Sequence, residues 1–191
     1  MMKLSNVCLG YDKENPLLKG VNISLNVGKI HILCGSSGIG KTTLFRGMTG
    51  YLAPYEGEIS VEDKDIYSFK KDEMNRYRRE TVSYLPQEYC LIDSLCVIDN
   101  ICLAAMMSKN NKDYSDLNVN AKELLKKLGM DSYQKRFPKE LSGGEIRRVE
   151  IIQHLLKDSP IIIMDEPTNN LDDNCVKILT ELLYDDSPVK S

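Results

Sequence analysis

The feature that most constrains this chain is a glycine-rich segment at residues 35–42, which reads Gly-Ser-Ser-Gly-Ile-Gly-Lys-Thr. It matches the spacing G-x-x-x-x-G-K-[ST] and follows a compact apolar run, 29–34, which predicts a buried strand. Helical spacing of Leu44, Phe45 and Met48 follows it. Glycines let successive backbone N–H groups turn inward as a nest for an anion, and the next helix directs its positive end at that anion. The segment therefore predicts a phosphate-binding loop between a strand and a helix.

The side chains of this loop indicate a nucleotide with a divalent cation. Lys41 supplies a point charge for the β- and γ-phosphates, and Thr42 offers a hydroxyl to Mg²⁺. The motif alone does not choose among kinases, GTPases and ATPases. The predicted phosphate-binding residues are Gly35, Ser36, Ser37, Gly38, Ile39, Gly40, Lys41, Thr42 and Thr43.

A second acidic feature lies where the apolar run Ile-Ile-Ile-Met ends, at Asp165 and Glu166. Ligands of parallel sheets bind at the carboxyl ends of the strands. Asp165 is predicted to hold the Mg²⁺ shell, and Glu166 to orient or polarise an attacking water. The alternative is an acid pair that begins the next helix. Because one acid suffices for the metal, the adjacent second acid favours hydrolysis over transfer to another substrate.

A third feature, Leu-Ser-Gly-Gly-Glu at 141–145, opens an apolar-periodic run. Ser142 and Glu145 have the spacing of a capping box, which begins a helix. Gly143 and Gly144 nevertheless occupy its first turn, where each is worth up to about 1 kcal/mol less than alanine. Apolar residues at Ile146, Val149, Ile152, Leu155 and Leu156 predict one buried helix face.

The order of elements predicts an α/β fold with a mostly parallel sheet, an antiparallel strand-rich edge early in the chain and a helical insert. We expect one domain over residues 1–191, with the insert at about 95–156 and an exposed loop at 108–118. The predicted strands lie at 3–9, 21–27, 29–34, 57–61, 81–87 and in the apolar run before Asp165, and the last helix begins near Asp172.

Composition narrows the class of protein further. The net charge is −3, which argues against a nucleic-acid surface. No apolar run approaches the roughly 18 residues of a membrane span, and the first residues lack a signal-peptide core. A cytoplasmic chain is expected, with its six cysteines as buried, reduced thiols.

Three segments in this order, GSSGIGKTT, LSGGE and IIIMDEPTNNLD, resemble the ATP-binding cassette (ABC) ATPases over essentially the whole chain. The resemblance implies ATP hydrolysis with Mg²⁺. It also implies that Gln87 joins the metal site to the helical insert, that Tyr11 stacks on adenine and that residues 169–172 cross a dimer interface. His31, inside the predicted strand 29–34, and His154 are interpreted as structural.

The resemblance also implies partners. Two cassettes, here as a homodimer, would meet head to tail and bury two ATP molecules, each between the phosphate loop of one subunit and LSGGE of the other. A separate membrane-spanning permease would hold the pair at the inner face of the membrane. No nucleic acid is expected. The residues implied to reach the ATP of the other subunit are Ser142, Gly143, Gly144 and Glu145.

A finer resemblance, in residues 73–103 and in DEPTNNLD, is to the cassettes of lipoprotein-release and macrolide or antimicrobial-peptide efflux transporters, which implies export. Ile146 and the segment IIQHLL depart from the usual pattern of that group. Two alternatives stay open at this point. One is a soluble cassette ATPase without a transporter, and the other is an inactive or regulatory nucleotide-binding module.

The family carries a histidine that contacts the γ-phosphate, one strand beyond the last helix. A helix of about 12 residues, a connection of about 4 and a strand of about 5 place it near position 193, just past Ser191. The sequence therefore predicts weak or no ATPase activity for residues 1–191 alone, with nucleotide binding retained.

Overall fold

The computed structural model describes residues 1–108 and 113–184, which divide into two compact units, residues 1–78 and the residues from 79 onward. The first unit contains β1 (Met2–Leu9), β2 (Leu18–Leu25), α1 (Lys41–Met48), β3 (Glu56–Val61), β4 (Lys64–Asp65), a 3₁₀ turn (Ile66–Ser68) and α2 (Lys71–Arg76). A π-helical turn follows at Tyr77–Thr81. The second unit contains β5 (Val82–Leu85), α3 (Val97–Met106), α4 (Tyr114–Lys127), 3₁₀ turns (Asp131–Tyr133 and Pro138–Glu140), α5 (Gly143–Leu156), β6 (Ile161–Met164) and α6 (Asp173–Tyr184).

The first unit is built on an antiparallel sheet in the order β2-β1-β3-β4. Met2, Leu4, Val7 and Leu9 of β1 are buried. These residues are two apart along β1, except that Leu4 and Val7 are three apart. Asn6 lies between them with a left-handed φ of +52°, and the register of β1 against β2 shifts there. The bulge thus returns Val7 to the core side. This sheet is the antiparallel, strand-rich part that the sequence predicts.

The prediction of a buried strand at 29–34 is wrong. The segment is irregular, and Ile32 is 82% exposed. It pairs with no strand among the residues that the structure describes, and a strand needs a neighbour to satisfy its backbone N–H and C=O groups. His31 is therefore exposed rather than inside a strand, and its Nε2 accepts from the Asn26 N–H at 3.0 Å. Apolar composition indicates a tendency to be buried, but it does not supply a pairing partner.

In the second unit, β5 and β6 form a parallel pair whose register matches Val82 with Ile161 and Leu85 with Met164. The predicted strand at 81–87 is confirmed over four residues, and Pro86 follows its last residue. The apolar run before Asp165 forms β6 as predicted. The parallel pair with its flanking helices agrees with the predicted α/β class.

Helices α3, α4 and α5 pack around one apolar core that includes Ile101, Leu117 and Ile152. The predicted loop at 108–118 is wrong over its last five residues, because α4 begins at Tyr114 with Asp113 accepting from the Ser115 N–H. Residues 109–112 lie outside the described residues, as do 185–191. The prediction that a helical insert at about 95–156 belongs to a single domain of residues 1–191 stays a prediction.

The cysteines divide by exposure, so the expectation of six buried thiols is wrong for four of them. Cys34 ends the exposed segment 29–34, which explains why its thiol is exposed. Cys102 and Cys175 are buried, Cys8 and Cys96 are partly buried, and Cys34 and Cys90 are exposed.

The other histidine, His154, lies on α5 against β5. Its Nδ1 is 2.5 Å from the Oγ of Ser83, which is fully buried. Burial, with a smaller effect in the same direction from the nearby charges of Lys157 and Arg147, lowers the pKa of His154 from 6.5 to about 4. The folded chain therefore holds this imidazole neutral, in line with a structural role.

This burial predicts a pH-dependent stability. Between pH 6.5 and 4 the unfolded chain binds a proton at His154 that the folded chain does not bind, so the free energy of unfolding falls as the pH falls through that window. We expect His154 to contribute a loss of about 2 kcal/mol between pH 7 and 5. Urea unfolding at both pH values measures it. His154→Gln should reduce the pH dependence and His31→Gln should not, whereas equal dependence in all three proteins would contradict the assignment.

Candidate active site

The glycine-rich segment lies in the first unit and leads directly into α1. Gly38 and Gly40 have φ of +79° and +105°, a region that side chains disfavour. The Nζ of Lys41 donates to the carbonyls of Gly35 at 2.7 Å and Ser36 at 3.1 Å, so its ammonium is held against its own loop. No acidic residue occupies the first turn of α1, so the positive end of this helix is not neutralised there. This arrangement fits a bound phosphate chain.

Tyr11, predicted to stack on adenine, also lies in the first unit. Its side chain is 66% exposed, and its hydroxyl accepts from Nη1 of Arg46 at 3.0 Å. Arg46 belongs to the last turn of α1. The helix that follows the phosphate loop therefore also holds the hydroxyl of Tyr11, while much of the ring surface stays accessible.

The acidic strand end lies in the second unit, directly after β6. The Asp165 N–H donates to the Leu85 carbonyl at 2.9 Å, which extends the pairing of β5 with β6 by one residue. Asp165 itself is buried. Oε2 of Glu166 accepts from Nε2 of Gln87 at 3.2 Å and from Nδ2 of Asn169 at 2.6 Å. Gln87 and Glu166, both predicted for the hydrolytic site, thus lie within hydrogen-bond distance.

The sequence analysis missed two buried charges at this site, Glu150 and Arg147 of α5, and Arg147 is only 2% exposed. Its Nη1 donates to the Pro86 carbonyl at 2.6 Å. Its Nη2 donates to the carbonyls of Asp165 at 2.5 Å and Glu166 at 3.2 Å. The predicted buried face of α5 contains apolar residues alone, whereas in the structure Arg147 and Glu150 are also buried. Opposite charges three residues apart were the available signal.

The LSGGE segment forms the start of α5 as predicted. The Ser142 N–H donates to Oε2 of Glu145 at 2.6 Å, and the Glu145 N–H donates back to Oγ of Ser142 at 3.4 Å. The hydrogen bond from the Ser142 N–H is the main reason that the pKa of Glu145 lies below its ordinary value, and hydrogen bonds from Tyr133 and from the Ser142 hydroxyl act in the same direction. The capping box is therefore confirmed.

The two glycines of this helix start meet other parts of the same subunit. A Cβ at Gly143 would lie 2.5 Å from the hydroxyl of Tyr89, and a Cβ at Gly144 would overlap the backbone carbonyl of Asn170. Nδ2 of Asn170 donates to the Tyr89 hydroxyl at 3.1 Å. The glycines are thus close-approach positions within one subunit, a reason that the sequence does not reveal.

This packing predicts different effects for two alanine substitutions. Each gains up to about 1 kcal/mol of helix propensity. Gly144→Ala should still lower the free energy of unfolding by about 1–2 kcal/mol, because its Cβ meets backbone. Gly143→Ala should be neutral or stabilising, because the half-exposed Tyr89 side chain can move aside. Urea unfolding without nucleotide measures both, and equal values would contradict the close approach at Gly144.

A cavity of about 350 Å³ lies beside these groups in the second unit. The residues that line it all carry polar groups, so hydrogen-bonding partners are available to a ligand there. Its lining residues are Gln87, Glu88, Tyr89, Arg147, Asn169 and Asn170.

The residue types present fit a nucleotide-bound Mg²⁺. Such a Mg²⁺ takes one or two carboxylates, with phosphate oxygens and water as its other ligands. Asp165 offers a buried carboxylate at the end of β6, and Thr42 offers a hydroxyl in the first turn of α1. Residues 1–108 and 113–184 hold no group of three or more His, Cys, Asp and Glu that could bind a metal by itself.

These features define a class, the phosphate-loop nucleotide-binding proteins. They are the phosphate loop, the acidic strand end and the capped LSGGE helix. Comparison with known proteins then specifies the family. The family model described as ABC transporter matches residues 18–169. The chain belongs to the ABC transporter family, and it is an ATPase of that family.

Two curated relatives and one solved structure illustrate the similarity. The lipoprotein-releasing system ATP-binding protein LolD 1 of Rhodopirellula baltica is 35% identical over 87% of this chain and 72% of its own length. The macrolide export ATP-binding/permease protein MacB of Campylobacter jejuni is 32% identical over 96% of this chain and 28% of its own. The cassette MJ0796, solved as a dimer in a post-hydrolysis state with ADP and Pi, matches with a TM-score of 0.83 and 28% identity, over 96% of this chain and 83% of that one.

These similarities agree with the resemblance to lipoprotein-release and macrolide-export cassettes. Within the part of the chain that the structure covers, no helix is long and apolar enough to cross a membrane.

Proposed function

We propose that the chain is the ATP-hydrolysing subunit of a membrane exporter, working as a homodimer on the inner face of the membrane with a separate permease. The observation that carries the hydrolytic part is the Glu166 carboxylate, which accepts hydrogen bonds from the Gln87 and Asn169 amides. Export is supported by similarity to proteins named for lipoprotein release and macrolide export.

On this proposal, the phosphate loop binds the triphosphate of ATP through its backbone N–H groups, the ammonium of Lys41 and the start of α1. Thr42, Asp165 and Gln87 would hold Mg²⁺, which neutralises charge on the β- and γ-phosphates when bound. Tyr11 would stack on the adenine. The assignments of Lys41, Thr42 and Asp165 rest on their residue types and on the elements they follow, and those of Gln87 and Tyr11 rest on the resemblance to the ABC ATPases.

Glu166 would act on the attacking water. A carboxylate can accept the proton of a water and orient its lone pair toward phosphorus. Amide donors on Oε2, from Gln87 and Asn169, fix the carboxylate in one orientation and leave its second oxygen for the water. Gln87 would thereby contribute both to the metal shell and to the placement of Glu166.

The LSGGE segment would complete the site of the other subunit. The start of α5 presents backbone N–H groups and a positive helix end, and Ser142 adds a hydroxyl. A second copy that docks head to tail would bring this helix end to the γ-phosphate. The similar cassette MJ0796 is a dimer bound to ADP and Pi, which supports a dimer of this chain.

The test combines nucleotide binding, assembly and a membrane partner. Fluorescent ATP should bind the purified protein, and light scattering should show a dimer with ATP and Mg²⁺ but a monomer without nucleotide. Copurification from native membranes, followed by mass spectrometry, should recover a multi-span protein. Binding without a permease would favour the soluble cassette ATPase, and binding without an ATP-dependent dimer would favour the regulatory module.

A further inference from the structure

We infer that the buried pair Arg147–Glu150 is a positioning device that ties the LSGGE helix to the backbone on both sides of the hydrolytic site within one subunit. This inference rests on the proposed function. It assigns Arg147 and Glu150 as positioning residues for Glu166 and Gln87, with no contact to ATP required of either.

The first step is the reach of Arg147. Its guanidinium bonds to the carbonyl before Gln87 on one side and to the carbonyls of Asp165 and Glu166 on the other. These carbonyls follow β5 and β6 respectively, so one planar fork spans the ends of two parallel strands. Because every one of these acceptors is backbone, the contacts fix chain position rather than side-chain rotamer.

The second step is the conformation of Glu166. Its φ is +50°, which is uncommon for a residue with a side chain. Such a conformation is unfavourable for a residue with a side chain and persists where the surroundings determine it. Nη2 of Arg147 holds the carbonyls on both sides of the Glu166 φ and ψ angles. The fork therefore stabilises the backbone turn that directs the Glu166 carboxylate at Gln87.

The third step is the charge balance. Arg147 and Glu150 are 2% and 1% exposed, and Nη1 of Arg147 lies 3.4 Å from Oε2 of Glu150. Oε1 of Glu150 accepts from the Cys90 N–H at 2.6 Å. Burial raises the pKa of Glu150, while the Cys90 amide and Arg147 oppose that rise. Glu150 thus balances the buried charge of Arg147. Its hydrogen bond from the Cys90 N–H also ties α5 to the segment after Gln87.

The fourth step is the place of the pair on α5. Arg147 lies three residues after Gly144, and Gly144 is packed against the Asn170 carbonyl. A displacement of the α5 start therefore moves groups that hold residues 86–90 and 165–170 together. The position of LSGGE is linked to the geometry of Gln87 and Glu166 inside one subunit.

The test uses two variants and a matched control. Arg147→Lys keeps the charge but replaces the two-sided fork by one ammonium. The double variant Arg147→Gln with Glu150→Gln removes both charges, so no uncompensated buried ion remains. Arg148→Lys is the control, because Arg148 is the neighbouring arginine of α5 and donates elsewhere, to the Leu128 carbonyl and Cys175 Sγ.

We expect both variants to bind ATP within about threefold of wild type and to lower single-turnover hydrolysis by about tenfold to a hundredfold, while the Arg148 control stays within about twofold. Amide exchange supplies a readout without nucleotide. The amides of Cys90 and Asn169 should exchange faster in the variants, with the interior of α5 unchanged. If the wild-type protein neither binds nor hydrolyses ATP, the proposed function fails, and the exchange result still decides the linkage.

Two results would overturn the inference. One is wild-type hydrolysis and wild-type exchange in both variants. The other is a fall in hydrolysis that simply follows the unfolding midpoint in the variants and the control alike, because the pair would then only support the fold.

Discussion

Replacing Glu166 by glutamine is expected to lower the rate of ATP hydrolysis by at least about a hundredfold and to leave ATP affinity within about threefold. Glutamine matches the shape of glutamate and keeps an oxygen that can accept from Asn169 or Gln87, so the local geometry should survive. It cannot accept the proton of the attacking water. Single-turnover hydrolysis with protein in excess, beside titration with a fluorescent ATP, measures the two quantities separately.

The matched control is Glu88→Gln. It makes the same chemical change next to Gln87, on an exposed side chain that lines the same cavity. We expect hydrolysis within about twofold of wild type, since a surface charge contributes little. A Glu166→Gln protein that hydrolyses like the control would show that Glu166 is not the group acting on water.

The Glu166→Gln protein should also accumulate as an ATP-bound dimer, which light scattering measures. A monomer would contradict the head-to-tail proposal.

The sequence predicts well wherever the signal is local. The capping box depends on two residues three apart, and Ser142 and Glu145 form it as expected. The apolar run of β6 lies where predicted, followed by Asp165 and Glu166. Local spacing determines these features, because their hydrogen bonds close within a few residues or along one strand.

Predictions fail where the outcome depends on distant partners. The apolar run at 29–34 resembles β6 in composition, but it lacks a pairing strand among the described residues and stays exposed. Arg147 looks solvent-exposed in the sequence, and only the folded chain brings the Pro86 and Asp165 carbonyls to its guanidinium. Likewise the close approach of Asn170 to Gly144 joins residues that are far apart in sequence.

Replacing Lys41 by alanine is expected to weaken ATP binding by about thirtyfold to a hundredfold, because a charge-assisted contact to phosphate is worth roughly 2–3 kcal/mol. The fold should be little affected. The Lys41 ammonium donates to carbonyls of an exposed loop, which water can solvate instead, so the free energy of unfolding should change by less than about 1 kcal/mol. Lys29→Ala removes an equal charge from an exposed position and serves as the control.

The phosphate dependence of the loss distinguishes a direct role of Lys41 from a general loosening of the loop. An ammonium at the β- and γ-phosphates acts on ATP and on tripolyphosphate but not on AMP, which lacks both groups. Competition titrations should therefore show ATP and tripolyphosphate weakened together, with AMP affinity unchanged within about twofold. Equal weakening of all three ligands would mean that Lys41 holds the Gly35 and Ser36 carbonyls in place rather than binding phosphate. An unchanged ATP affinity would show that Lys41 does not bind the phosphates of ATP.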